Sequence, residues 1–479
     1  MKKIMKVSAF LLILLLGSQI FAESTPVENL YNYTLDNGLE VFVAENHIVP
    51  LVYIEICVKG GGVGQTAENA GLFHLYEHMM FKGNSLYQTA EEMQNAITAL
   101  GVPSWNGSTG SQYVNYFFTV PSDRLEEGLE FWSAAIRDLK MDPREFEAEK
   151  KVVLSEIDGS AADPGQIVYN FMSDKLFPEA PYTRSPAGEH DVVANATIEQ
   201  LRQIQREYYI PNNAALFIGG DVNPDETYEL VKKIYGNWER GENPWIKNNL
   251  QMTQKPLEET EYWIMPYDQI SPYVAQVQIM LRGPDAEYDE DATVTADMLN
   301  AYYGNPQSAF KQTLIQDPNL GIPDPNYCDI SYYTQRRHGL TTFTAVLLSP
   351  EVQLAGRTQY LASILQPLCE TTKPDGSAES QALLEGVKQI FYNDEVYAEE
   401  TAEGLLSQVR FWWSCTDEDY YYTYLDNIRN TSVADIDAYV DNYISDSTML
   451  VIVLVHPSLV EAYEAEYRDA GFKIIGADD

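Results

Sequence analysis

Hydrophobic residues divide the first half of the chain into short elements whose period changes along the sequence. Two apolar runs, "LEVFVAEN" and "PLVYIEICVKG", read as β-strands turning through "NHIVP". "GGGVGQT" follows. It lacks the Gly-Lys-Ser/Thr ending whose lysine holds phosphates, so it reads as a flexible connection into a helix. From about Ala70 to Phe81 the period becomes helical, and Lys82-Gly83 closes it. "TAEEMQNAITALG" reads as an amphipathic helix opened by a capping box of Thr89 and Glu92. "SQYVNYFFTVP" alternates as a strand does, and "SDRLEEGLEFWSAAIRDL" and "DPREFEAEKKVVLSEIDGS" are helices with acidic or capping starts.

The order then echoes itself. Residues 198–236 read as helix, loop, apolar strand and helix, and residues 433–472 repeat that order, with "TMLVIVLV" in the place of "AALFIGG". "WERGENPWIKNNLQMTQKPLEE", polar and broken by Pro244 and Pro256, reads as a linker. "YWIMPYDQISPYVAQVQIMLRG" restarts the strand pair in the second half, and "DEDATVTADMLNAYYG" fills the slot of the helix that carries His74 and His78, without a histidine. The expected layout is a leader over 1–22, an amino-terminal domain over 23–240, a linker over 241–260 and a homologous carboxy-terminal domain over 261–479. The fold class is α+β, each lobe a mostly antiparallel sheet with helices on one face.

At 479 residues the chain exceeds what one core usually serves, and its 45% hydrophobic and 12% aromatic content excludes general disorder. "MKKIMKVSAFLLILLLGSQIFAES" has lysines, an apolar run too short to span a bilayer, and a small residue before Glu23, the order of a secretory signal cleaved after Ala22, although Ile20 is bulky for the minus-three position. The mature chain is therefore expected in the periplasm or outside the cell, with no membrane span. The formal net charge of −40 becomes three units more negative without Lys2, Lys3 and Lys6. Such a surface excludes nucleic acid as a partner; it either favours basic partners or serves solubility. Cys57, Cys328, Cys369 and Cys415 are too scattered to define a disulfide framework.

The chemistry concentrates in "GLFHLYEHMMFKG". On a helix, His74 and His78 share one face and can aim their imidazoles at one point. A catalytic zinc takes three protein ligands and keeps a fourth position open. Glu77 lies beside the pair as a general base, in the inverted order H-x-x-E-H. In "EAEKKVVLSEIDG", Glu149 and Glu156 fall on nearly one helix face, with Val152 and Val153 as apolar packing. One of these carboxylates can complete a His, His, Glu set, and another can hydrogen-bond a ligand.

"HLYEH" with "MMFKGN", followed by "EAEKKVVLSEI", "PSWNGSTGSQYVNYFFTVP" and "YYIPNNAALFIGGDVNPDE", closely resembles the pitrilysin, insulinase and mitochondrial processing peptidase family of zinc metallopeptidases. The resemblance covers most of residues 30–240. It implies His74, His78 and Glu156 as zinc ligands, Glu77 as general base and Glu149 as a supporting carboxylate. It also implies that Trp105–Thr109 is an edge strand that pairs with substrate backbone, with Asn106 and Gly107 as contacts. Unfolded peptides, basic ones among them, would be the substrates, and a homodimer or a pairing with a related chain the assembly. A non-catalytic assembly subunit of the same fold is the alternative. One departure stands out: Ile315 occupies the family's arginine position in the second half, and Tyr327 or Tyr332 is only loosely placed as the substrate-gripping tyrosine. Arg336 and Arg337 are substitutes for the arginine; otherwise a partner chain supplies the pair.

Overall fold

Strands with nearly continuous apolar sequence lie inside two sheets. The structure is a computed structural model that describes residues 23–24, 27–161, 163–180, 185–247 and 256–478. The leader over 1–22 and its cleavage point fall outside those residues. The first sheet contains β1 (Glu23–Ser24), β2 (Leu30–Thr34), β3 (Glu40–Glu45), β4 (Leu51–Lys59), β5 (Trp105–Thr109), β6 (Tyr113–Pro121) and β7 (Ala214–Gly220), in the order β1-β2-β3-β7-β4-β6-β5. The second contains β8 (Glu261–Pro266), β9 (Val274–Arg282), β10 (Cys328–Tyr333), β11 (Leu340–Leu348), β12 (Leu450–Val455) and β13 (Lys473–Ile474), in the order β10-β11-β9-β12-β8-β13. The core orders β3-β7-β4-β6-β5 and β8-β12-β9-β11-β10 are the same, and in each the first pair is parallel and the rest antiparallel. The internal echo in the sequence is therefore a repeat of topology.

Each sheet packs its own helices on one face. In the first lobe Val41, Val43, Ile54, Ile56, Leu216 and Ile218 meet Leu72, Tyr76, Trp132 and Leu201. The other face is closed from across the molecule. Phe42, Tyr53, Cys57 and Phe217 join a core that includes Leu405, Leu406, Val409 and Trp413 of the second-lobe helix Ala402–Cys415. Reciprocally, Val168, Phe171, Met172 and Leu176 of the first-lobe helix Pro164–Leu176 cover Trp263, Met265, Leu450 and Ile452 of the second sheet. Burying each large apolar side chain in this way contributes roughly 1.5–3 kcal/mol. The exchange explains why β4, β7 and β12 are buried at almost every position: strands covered on both faces read as unbroken apolar runs.

A charged contact accompanies the first of these helices. Glu55, with no exposed surface, accepts Arg410 Nη1 at 3.0 Å, Asn115 Nδ2 at 2.6 Å and the Tyr53 hydroxyl at 2.8 Å. Glu40 accepts Trp413 Nε1 at 2.9 Å.

Three local expectations change. The glycine-rich segment is not a flexible connection: Gly61–Gly64 forms a wholly buried 3-10 turn, and a Cβ on Gly61, whose φ is +72°, would lie 2.1 Å from Gly110 O. The capping box is half formed, because Thr89 caps Glu92 N–H while the Glu92 carboxylate accepts from Gln88 N–H, one residue further out. The linker is anchored at its start, where Trp245 donates to Asn213 Oδ1 at 2.8 Å; its residues 248–255 fall outside the described ones.

Candidate metal centre

The histidine helix, Leu72–Met80, is held by its apolar side. Leu72, Phe73, Leu75, Tyr76, Met79 and Met80 are buried, while the half-buried His74 and His78 turn toward Glu149 and Glu156. Its first turn begins at Gly71, where φ is +94° and a Cβ would stand 2.6 Å from Ala187 O, so glycine is required. Gln65 Oε1 accepts the Gly71 N–H at 2.6 Å and fixes the entry. At the other end Lys82 N–H reaches Met79 O, and Gly83 takes φ +124°. The second helix, Pro143–Ala161, is anchored by Phe146, Val153 and Ile157, while Val152 turns to solvent instead of packing.

These two helices bring the sequence-predicted donors together. Glu156 Oε2 lies 3.5 Å from His74 Nε2 and 3.6 Å from His78 Nε2. Three ligands held tetrahedrally at roughly 2.0–2.1 Å from a zinc ion are spaced about 3.4 Å apart, so both of these distances suit such an ion. Glu77 Oε2 is further out, 3.9 Å from His74 Nε2 and 3.5 Å from the Thr109 hydroxyl on β5. His74, Glu77 and His78 also form a group whose donor atoms lie within 4.8 Å of one another. The Glu156 oxygen is nearly equidistant from both imidazoles, and its carboxylate reaches them from the opposite helix.

The electrostatics suit both tasks. Burial, helped by the neighbouring His78, pushes the His74 imidazole down to about 4, so it is neutral and able to donate its lone pair at neutral pH. Burial also raises the Glu77 carboxyl, against the opposing effects of His78 and Thr109, which moves it toward the range useful to a general base. Glu149 behaves oppositely. Burial disfavours its charge, but hydrogen bonds from Lys82 and His78 outweigh that and hold its carboxyl below the ordinary value. Its Oε2 is 3.0 Å from His78 Nδ1. His74 Nδ1 is buried with no hydrogen-bond partner among the described residues.

Among the described residues β5 is the terminal strand of its sheet and pairs with β6 alone. Asn106 is exposed, and its Oδ1 accepts the N–H of Gly107 at 3.0 Å. Gly107 has no room for a side chain: a Cβ would stand 2.9 Å from the Tyr116 ring and 3.0 Å from that of Phe81. The arginines considered for the gripping role are engaged elsewhere. Arg336 and Arg337 both bind Glu287, at 3.0 and 2.5 Å. Tyr332 donates to Pro284 O at 2.6 Å, Tyr327 is exposed, and Ile315 packs against the second-lobe core. Thr109 and Lys82 were not singled out by their residue types; for Lys82 the signal was its place four residues after His78, on the same helix face.

Residues 40–189 match the family model described as insulinase (peptidase family M16), and residues 195–370 match the M16 inactive domain. The zinc protease PqqE of Helicobacter pylori is 28% identical over 239 residues, covering 49% of this chain and 52% of its own. The mitochondrial-processing peptidase β subunit of Dictyostelium discoideum is 26% identical over 204 residues, 43% of each chain. This chain spans about half the length of the curated relatives it matches. Among solved structures, a putative M16-like peptidase from Alicyclobacillus acidocaldarius superposes with a TM-score of 0.71 at 19% identity, covering 91% of this chain and 100% of that one. The periplasmic protease PqqL of Escherichia coli gives 0.70 at 19% identity, covering 93% of this chain but 51% of PqqL. At these identities the structural likeness speaks for the fold alone. Among the described residues no helix is long and apolar enough to cross a membrane. With both family models matched in sequence and the two-lobed fold shared, this chain belongs to the M16 (insulinase) peptidase family.

Proposed function

We propose that this chain is an exported zinc-dependent endopeptidase that cleaves extended peptides added as a strand to β5. The observation that carries the reading is the Glu156 oxygen standing 3.5 and 3.6 Å from two imidazole nitrogens. His74, His78 and Glu156 would hold the ion. Bound there, zinc would supply Lewis acidity toward the scissile carbonyl and the attacking water. Glu77 takes a proton from the attacking water on its carboxylate and returns it to the leaving nitrogen. β5 aligns the substrate through main-chain hydrogen bonds, which need an unfolded segment but no fixed sequence. The lysine-led leader and the periplasmic setting of PqqL support export. PqqL is about twice as long as the region it shares with this chain, and a second copy or a related chain would fill the corresponding place here. The acidic surface favours basic peptides among the possible substrates.

Metal analysis of the purified chain tests the reading, with about one zinc per chain expected and His74→Ala or Glu156→Ala abolishing it. Glu77→Gln should retain the metal and lose cleavage of a quenched peptide library. A wild-type chain that binds metal yet cleaves nothing, alone or with a related partner chain, would point to the non-catalytic assembly role; a wild-type chain that takes up no metal would overturn the metal centre itself.

A further inference from the structure

Glu149 and Glu156 rise from one helix, seven residues apart, and both carboxylates reach His78. By residue type either is a metal ligand, so something must assign their roles. The difference lies in a third residue. Lys82 Nζ is 2.7 Å from Glu149 Oε1, while Glu149 Oε2 is 3.0 Å from His78 Nδ1, so both oxygens of Glu149 are engaged. Among the described residues no lysine pairs with Glu156, and its side chain is 48% exposed. From Lys82, four residues beyond His78, the contacts run through Glu149 to the ring of His78 and end at the donor point.

We infer that Lys82 is a positioning residue for the metal centre: it pins Glu149 as the hydrogen-bond acceptor of His78 Nδ1–H, which turns His78 Nε2 toward the metal and leaves Glu156 as the ligating carboxylate. The inference deepens the zinc reading above and rests on it. Removing the ammonium frees Glu149 Oε1, and Glu149 can then rotate away from Nδ1 or compete for the ion. In either case His78 loses its fixed orientation. Among the described residues His74 Nδ1 has no corresponding acceptor, so the ring alignment at the centre leans on this relay. Partners of this kind typically alter metal affinity 10–100-fold.

The experiment compares the wild-type chain with Lys82→Met, Lys82→Arg and Glu149→Gln. Zinc affinity is read by competition with a chromophoric chelator, the coordination of added Co2+ by its visible absorption, and the tautomer of His78 in the metal-free protein by long-range 1H–15N NMR. Wild type should show the Nδ1–H tautomer. Lys82→Met should bind zinc about 10–100-fold more weakly, show a mixed His78 tautomer and give an altered Co2+ spectrum, while Lys82→Arg restores all three. Glu149→Gln should resemble Lys82→Met, and it keeps the test decisive if the methionine variant fails to fold. Wild-type affinity, tautomer and Co2+ spectrum in folded Lys82→Met or Glu149→Gln would overturn the inference while leaving the zinc reading intact. Absence of metal uptake by the wild type would instead fail the zinc reading first.

Discussion

Replacing Arg410 with methionine tests how the two lobes are joined. Arg410 sits on the helix Ala402–Cys415 and places Nη1 3.0 Å from Glu55 Oε1, with its guanidinium 4.7 Å from the centre of the Tyr113 ring. At an effective dielectric near 20, a pair this close attracts by about 5 kcal/mol. Desolvation offsets part of that, but truncating one partner leaves the other buried and uncompensated, at a cost of about 3–5 kcal/mol. Tyr53 and Asn115 would still bond the Glu55 carboxylate, which places the expected loss at the lower end, about 3 kcal/mol. The double variant Glu55→Gln, Arg410→Met should recover most of it, since methionine and a neutral amide leave no unpaired charge. Urea unfolding of the four proteins, followed by tryptophan fluorescence, measures the cycle. An Arg410→Met chain within about 1 kcal/mol of wild type, or a cycle without coupling, would refute the reasoning.

Further outcomes follow from burial and packing. His74 is held down near 4 while an unfolded histidine titrates near 6.5, so between those values the unfolded chain carries a proton that the native one lacks. The metal-free protein should therefore lose stability as pH falls through that window, by up to about 3 kcal/mol; thermal melts in chelator should show a shallower slope for His74→Gln. Asp297 behaves in the opposite sense, its carboxyl pushed up to about 7 by burial, against hydrogen bonds from Tyr424 and Thr334. From about pH 4 to 7 the native state keeps a proton that the unfolded state has released, so stability falls as pH rises. Asp297→Asn should be more stable than wild type at pH 8 by up to about 4 kcal/mol, and equal melting temperatures there would contradict the assignment. Gly107→Ala should cost about 1–3 kcal/mol by overpacking against Tyr116 and Phe81 and raise KM for long peptides more than it lowers kcat, as measured on an unstructured substrate series.

The parts of the fold with a local signal were legible. The histidine helix showed itself by its apolar stripe and its glycine stop, whereas β5 was implied by the family resemblance alone. His74, His78, Glu149 and Glu156 could be placed on helix faces because a helix has a fixed period, and the structure brings them together. What stayed hidden depends on partners remote in sequence. Nothing local in "PGQIVYNFMSDKL" says that its apolar side covers the other lobe's sheet, nor does "GLLSQVRFWW" say that Arg410 meets Glu55. The unbroken apolar runs of β4, β7 and β12 did contain that information. Strands buried on both faces need a second cover, and helices on one face could not provide it. The partner of Arg336 and Arg337 was hidden for a related reason: only the folded chain brings Glu287 to them.

The exchange of helices between lobes means that neither half is sealed by its own residues. A fragment ending before Ala402 would offer Phe42, Tyr53 and Phe217 to water, and a fragment beginning after Leu176 would uncover Trp263, Leu450 and Ile452. Separately expressed halves should therefore be sticky and short-lived, yet co-produced halves should find each other, and a protease nick between them should go unnoticed by gel filtration until denaturant is added. The covalent thread is the least of what keeps this molecule in one piece.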